Sequence, residues 1–186
     1  MKAKCNVIKN EIREKITEVE EKHNTRLSTT QKILLSITEP ITTVLDVLYG
    51  EVRLFMLDQH FENADRNIAD LVGINEGDEI IYRNTVVFKH SQPLVYVVSY
   101  IPKDRCDDKI LGDLIEGKLT TGKIIDKYAR EIMRKINRIS IEEPTPILTE
   151  LFKTTEDMLS REYIILHNEE VIIWTKELYP LSYFKI

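Results

Sequence analysis

Two arginines stand at matched positions in this 186-residue chain, each at the start of an apolar run. Arg83 opens RNTVVFKHSQPLVYVVSYIP and Arg161 opens REYIILHNEEVIIWTKELYP. The two segments align without a gap, and both close on a proline. A guanidinium can hold a carboxylate through two parallel hydrogen bonds, so each arginine is a candidate anion ligand. The common alternative is a surface arginine whose stem covers apolar neighbours.

A charged pair interrupts the last apolar run, where Lys176 and Glu177 are adjacent. Burying a carboxylate without a partner costs several kcal/mol, so Glu177 either turns outward at the strand end or serves a polar pocket. Side chains alternate across a strand, so only one of the two residues can face a given side unless a bulge intervenes. The alternation alone does not choose between them.

The repeated segments that carry these residues are predicted to be hairpins. Runs of β-branched and aromatic residues on either side of a polar turn, KHSQ or HNEE, predict paired strands at 79–102 and 161–179. A strand and a short helix precede each hairpin in the same order. We therefore predict half-repeats of about 51–102 and 138–180 that share one sheet about a pseudo-two-fold axis.

Helical patterns account for much of the remaining sequence. Apolar residues at helical spacing predict an amphipathic helix at 9–23, inside an amino-terminal segment of residues 1–27. Further helices are predicted at about 40–49, where Gly50 suits the stop, and at about 122–136. The segment 51–61 predicts a strand buried mostly on both faces.

These elements fit one domain of residues 1–186, without a linker that would divide it. The predicted fold class is α+β, with a mainly antiparallel sheet, helices on one face and an internal pseudo-two-fold repeat. Such an arrangement leaves a concave seam near the axis. We expect a ligand to bind in that seam.

Composition narrows the classes of function. The net charge of −5 argues against a general nucleic-acid binder, which needs a basic face. No apolar run is long enough to span a membrane and no signal-peptide pattern is present, so a cytoplasmic protein is expected. Cys5 and Cys106 are far apart and the four histidines are scattered, so we expect reduced thiols and no metal site. The oligomeric state is left open.

Several of these segments resemble one known superfamily. ADLVGINEGDEIIYRNTVVFKHSQPLVYVVSYIP resembles the hairpin of the chorismate lyase and UTRA ligand-binding superfamily. LLSITEPITTVLDVLYGEVRLFML is similar to the amino-terminal helix and first strand of chorismate lyase, and KLTTGKIID to its glycine-containing turn. TKELYP is similar to the closing strand that carries the catalytic glutamate. The resemblance covers about residues 28–181 and implies a chorismate lyase-like fold.

The resemblance also implies an activity and a set of site residues. Chorismate lyase converts chorismate to 4-hydroxybenzoate and pyruvate without a metal or organic cofactor. Arg83 matches the arginine that holds the ring carboxylate, and Thr121 and Gly122 match the turn whose backbone amide assists it. Ile41 matches an apolar wall of the pocket. Glu177 lies near the catalytic acid, which would assist departure of the enolpyruvyl oxygen.

Two positions depart from the family pattern. A gapless count from the final proline places Lys176 on the glutamate position, so Glu177 would need a one-residue bulge or a shifted strand. The second arginine of the family falls on Val98. Arg161, Lys123 and Lys176 are the candidates to replace it at the second, pyruvyl carboxylate.

Two functions are therefore considered. The first is a lyase of the chorismate pyruvate-lyase type, acting on a small aromatic carboxylate. The second is a non-catalytic UTRA-like domain that binds or senses a carboxylate, a kind of domain that usually follows a DNA-binding winged helix. The first 50 residues carry eight Lys or Arg and seven Asp or Glu, with no basic recognition helix. This favours the enzyme.

Overall fold

A computed structural model describes residues 2–117, 119, 121–128 and 132–185, and their side chains from residue 10 onward except those of residues 121, 122 and 126. None of the described helices is long and apolar enough to cross a lipid bilayer. The helices are α1 Lys2–Lys22, α2 Thr29–Ser36, α3 Ile41–Tyr49, α4 Arg66–Val72, α5 Asp108–Glu116, α6 Thr121–Tyr128 and α7 Pro146–Phe152, with a 3-10 turn at Lys103–Arg105. The strands are β1 Arg53–Asn63, β2 Glu79–Lys89, β3 Gln92–Pro102, β4 Ile132–Glu142, β5 Met158–His167 and β6 Glu170–Pro180.

The six strands form one antiparallel sheet in the order β1-β2-β3-β6-β5-β4. The two predicted hairpins, β2–β3 and β5–β6, meet where β3 pairs with β6. Val98 lies opposite Lys176, and the same two residues match in the sequence repeat, so the pseudo-two-fold axis passes between them. The α+β class, the antiparallel sheet and the pseudo-symmetric repeat are thus confirmed.

The irregularities of the two halves coincide. The pairing of β1 with β2 shifts between Met56 and Asp58, and the pairing of β4 with β5 shifts between Ile136 and Arg138, at the matching place. The order α2-α3-β1-α4 before the first hairpin also matches the order α5-α6-β4-α7 before the second. The repeat therefore includes the helices that cover the sheet as well as the strands.

One face of the sheet carries the main core. Helices α1, α2, α3, α5 and α6 contribute to it, and Leu34, Leu45 and Ile125 are completely buried there. We call this side the covered face. The short helices α4 and α7 pack against the opposite face through Ala69 and Leu148. The sequence predicted helices on one face of the sheet, and α4 and α7 lie on the other face in addition.

The predicted helix at 122–136 is wrong in its second half. Helix α6 ends at Tyr128 and strand β4 already begins at Ile132. Ile132 and Ile136 are four residues apart, which fits a helix, but the same spacing also puts them on one face of a strand. Pairing with β5 selects the strand.

The segment 51–61 is also less buried than its apolar residues predicted. Strand β1 lies at the edge of the sheet and pairs only with β2. Phe55 and Phe61 are consequently exposed. An apolar strand at an edge cannot be distinguished from a central one by its sequence, because the difference lies in the number of neighbours.

Candidate functional site

Both matched arginines lie on the covered face and are almost completely buried. The exposed fraction is 1% for Arg83 on β2 and 2% for Arg161 on β5. The surface position that is common for strand arginines therefore does not apply to either one. A buried cation needs a counter-ion or a full set of hydrogen-bond acceptors.

Arg161 has both. Its Nε donates to Glu177 Oε2 at 2.6 Å, and its Nη1 donates to the carbonyls of Leu34 at 2.6 Å and Ile37 at 3.0 Å. The hydroxyl of Tyr163 donates to the other oxygen of Glu177 at 3.1 Å. Burial, together with the Glu177 carboxylate, raises the pKa of Tyr163, so this hydroxyl keeps its proton. Arg161 is a compensated buried cation.

Arg83 lacks such compensation. Its Nη2 donates to the carbonyl of Leu119, whereas its Nε and Nη1 are buried without an acceptor among the described residues. Burial lowers the pKa of Arg83 to about 10, and the guanidinium still carries its charge at neutral pH. Arg83 is therefore a buried cation that faces no carboxylate in the described part of the chain.

The repeat explains this difference. Glu177 lies opposite Arg161 across β5 and β6, and Ser99 lies opposite Arg83 across β2 and β3. Ser99 is thus the counterpart of Glu177 in the first half. Its hydroxyl is hydrogen bonded to that of Thr175 at 3.0 Å and offers Arg83 no negative charge.

A small cavity of about 30 Å³ lies on the covered face, lined by both polar and apolar side chains. Its volume has room for roughly two water molecules. Small-molecule sites usually exceed about 300 Å³, so an aromatic acid can enter only if the covering helices move. Thr85 and Ser99, the neighbours of Arg83 on the sheet, belong to the lining. The lining also includes Ile41, Tyr163, Thr175 and Glu177.

Glu177 faces this cavity without a bulge. The only shift in the pairing of β5 with β6 lies near the turn, between Ile165 and Leu166, so ordinary alternation places Glu177 on the covered face. No bulge lies near Glu177, so the gapless count that matches Lys176 with the family's glutamate is unchanged, and Glu177 reaches the covered face by its own strand parity. Lys176 points to the opposite face and forms an ion pair with Glu142 at 2.8 Å.

The other predicted site residues lie at helix starts. Ile41 is the first residue of α3, is buried and lines the cavity. Thr121 and Gly122 are the first two residues of α6, and their side chains lie outside the described part of the structure. The bond from Arg83 to Leu119 places the guanidinium beside this helix start. Backbone N–H groups in the first turn of a helix have no partner within the helix and can bind an anion.

Of the three candidates for the missing second arginine, only Arg161 lies on the covered face of the sheet. Lys123 forms an ion pair with Asp46 at 3.1 Å, and Lys176 lies on the opposite face. Val98 itself also lies on the opposite face, where it packs against an apolar cluster. A longer side chain at position 98 would therefore not point toward the cavity.

Several cavity residues escaped the sequence analysis. Tyr163 and Thr175 share the strand parity of Arg161 and Glu177, so alternation could have identified them. Ser99 could have been found as the match of Glu177 in the repeat. Thr42 was also missed, and its buried hydroxyl has no partner among the described residues.

The described residues contain no group of three or more His, Cys, Asp or Glu side chains that could hold a metal ion. Burial raises the pKa of Cys106 to about 12, so it stays a thiol at neutral pH. Cys5 lies in α1, and its side chain is not among those described.

The sequence and fold match proteins that are already classified. A family model described as Chorismate pyruvate-lyase Rv2949c-like matches residues 38–185. The chain belongs to this family. The matched region contains Arg83, Arg161 and the residues that line the cavity, whereas Leu34 and Ile37, which accept hydrogen bonds from Arg161, lie before it.

The chain is also similar to a named relative and to solved structures. The Methanocaldococcus jannaschii protein named "Putative lyase MJ0807" is 29% identical over 158 residues, which cover 81% of this chain and 78% of that protein. Two solved structures share the fold. A GntR-family transcriptional regulator from Bacillus cereus has a TM-score of 0.60 at 15% identity, covering 73% of this chain and 96% of that one. The effector domain of PhnF from Mycobacterium smegmatis has a TM-score of 0.62 at 13% identity, covering 76% and 88%.

Proposed function

We propose that this protein converts chorismate to 4-hydroxybenzoate and pyruvate. The observation that carries the proposal is the buried, uncompensated charge of Arg83 in a chain of the chorismate pyruvate-lyase family. A ligand carboxylate would supply the missing counter-ion through paired charge-assisted hydrogen bonds. The ligand class is accordingly a small aromatic carboxylate.

In this proposal the carboxylate end of the site is built from β2 and α6. Arg83 binds the ring carboxylate, and the backbone amides of Thr121 and Gly122 assist at the start of α6. The bond from Arg83 to the carbonyl of Leu119 holds the guanidinium at this helix start until the ligand arrives. Ile41, at the start of α3, forms an apolar wall beside the ring.

Glu177 is the proposed acid for the chemical step. The reaction breaks the C–O bond between the ring and the enolpyruvyl group, and the electron pair leaves on the oxygen. Glu177 gives that oxygen a proton, and the ring loses a proton to water as it becomes aromatic. The released enol then rearranges to pyruvate. The gain of aromaticity favours elimination, so a correctly placed acid and a dry cavity are the main requirements.

The test is to incubate the purified protein with chorismate and to measure 4-hydroxybenzoate and pyruvate together. Equal amounts of the two products, formed well above the rate in buffer, are expected. Arg83→Met is the matched control. It removes the guanidinium that is proposed to bind the ring carboxylate, so this variant should lose the activity. No products above the buffer rate at high protein concentration would contradict the proposal.

The second candidate is a non-catalytic domain that binds an aromatic carboxylate. It is favoured by the uncompensated charge of Arg83, which would attract a carboxylate whether or not a reaction follows. It also agrees with the fold that the chain shares with the effector domain of PhnF. Binding of 4-hydroxybenzoate without turnover of chorismate would select it. For both candidate functions, the predicted location is the cytoplasm.

A further inference from the structure

Glu177 cannot act as an acid in the state that the structure describes. It lies 2.6 Å from the guanidinium of Arg161 and also accepts a hydrogen bond from Tyr163. An ion pair with arginine keeps a carboxylate in its ionised form, which has no proton to give. The lyase proposed above therefore needs a step that gives Glu177 a proton before the C–O bond breaks.

The charges around the cavity indicate when that step occurs. Arg83 and Arg161 carry one positive charge each, and Glu177 carries one negative charge, so the free site has one positive charge in excess. Burial raises the pKa of both Tyr163 and Tyr179, so these phenols are neutral. Arg134 on β4 is half-buried and acts electrostatically on Tyr163, and it is not one of the two buried arginines counted here. The parts of β3 and α3 that line the cavity beside Glu177, which are Val97, Ser99, Pro40, Ile41 and Thr42, contribute no ionisable group.

One carboxylate therefore neutralises the free site, but chorismate has two. With the ring carboxylate on Arg83, the only other buried cation on the covered face among the described residues is Arg161, which Glu177 already occupies. Strands β2 and β5 are three strand spacings apart, about 14 Å, and the cavity lies between them. A ligand with carboxylates at both ends can thus lie between the two arginines. Binding both would leave three carboxylates against two guanidinium groups in a dry site, which is unfavourable.

We infer that a dicarboxylate displaces Glu177 from Arg161 and that Glu177 takes up one proton as the ligand binds. This inference rests on the proposed lyase function. The second carboxylate takes the place of Glu177 as the counter-ion of Arg161, and the neutral acid then faces the departing oxygen. Once Glu177 has given this proton to the departing oxygen it is ionised again, and its pair with Arg161 re-forms when the products leave. A monocarboxylate has no second charge and binds without proton uptake.

Titration calorimetry tests this with two matched ligands, 3-(carboxymethoxy)benzoate and 3-methoxybenzoate. Each is titrated into the wild-type protein at one pH in phosphate and in Tris, whose ionisation enthalpies differ. The dependence of the binding enthalpy on the buffer gives the number of protons taken up. We expect about one proton for the dicarboxylate and about none for the monocarboxylate. The affinity of the dicarboxylate should also fall about tenfold per pH unit in the range where uptake is complete.

Glu177→Gln identifies the group that takes up the proton. Glutamine has the same shape but cannot be protonated, so the uptake and the pH dependence should both disappear while the dicarboxylate still binds. Tyr163→Phe leaves the pair with Arg161 in place and should keep the uptake. Proton uptake that persists in Glu177→Gln would overturn the inference.

The wild-type titrations alone can also overturn it. Dicarboxylate binding without proton uptake, or monocarboxylate binding with no dicarboxylate binding, would show that Glu177 stays ionised on Arg161. Turnover of chorismate in either case would leave the proposed function standing with another source of the proton. Absence of binding by both ligands, together with absence of turnover, would instead remove the proposed function itself.

Discussion

Ser99 and Glu177 occupy the same position in the two halves of the sheet, and each lies opposite a buried arginine. In the second half the glutamate forms an ion pair with Arg161 at 2.6 Å. In the first half the serine leaves Arg83 without a counter-ion in the described part of the chain. In the second half, the protein itself provides the carboxylate that pairs with the arginine. In the first half, we propose that the ligand provides it.

The variant Ser99→Glu should therefore place a carboxylate of the protein at the proposed ligand position. A carboxylate at position 99 would lie opposite Arg83 as Glu177 lies opposite Arg161, and it would compete with the ligand. We expect the affinity for 4-hydroxybenzoate to fall by at least about 30-fold in calorimetry, because the charge-assisted contact is lost. Ser99→Gln is the control, since it has the same size but no charge. Equal affinities of the two variants would mean that bulk, and not charge, decides binding.

The two arginines should respond oppositely to substitution when stability is measured. Arg83→Met removes a buried cation without a counter-ion, so the free energy of unfolding in urea should be unchanged or higher. Arg161→Met leaves Glu177 buried without its partner and should cost about 3–5 kcal/mol. Similar losses in both variants would show that Arg83 is compensated as well as Arg161.

The acid role of Glu177 predicts a selective loss of turnover. With chorismate as the substrate, Glu177→Gln should lower turnover by roughly a hundredfold or more, while the affinity for 4-hydroxybenzoate changes less. Lys176→Met is the neighbouring control. Lys176 faces the other side of the sheet and pairs with Glu142, so this variant should remain active. If Lys176→Met were inactive and Glu177→Gln were active, the assignment of the acid role to Glu177 would be wrong.

Local patterns were sufficient to predict the hairpins and the repeat. The turns KHSQ and HNEE and the apolar runs beside them determine β2, β3, β5 and β6, because strand pairing within a hairpin depends on nearby residues. The start of β4 at Ile132 and the exposure of Phe55 could not be predicted. Both depend on which strands lie next to β4 and β1 in the finished sheet.

The candidate site was also predictable only in part from the sequence. The sequence singled out Arg83 and Arg161 as equivalent, and their burial on one face follows from matched positions in the repeat. It could not distinguish the paired arginine from the unpaired one, because that depends on the register that sets Glu177 opposite Arg161. The small volume of the cavity could not be predicted from the sequence either, because it depends on how closely α3 packs on the sheet.

The central claim is that the uncompensated charge of Arg83 binds the carboxylate of the ligand. Titration of 4-hydroxybenzoate into the wild type and into Arg83→Met by calorimetry tests it most directly. We predict that the variant loses about 2–5 kcal/mol of binding free energy, or about 30-fold to several thousandfold in affinity. Arg83→Lys should recover part of that loss, because an ammonium keeps the charge but not the planar fork. An unchanged affinity in Arg83→Met would contradict the claim.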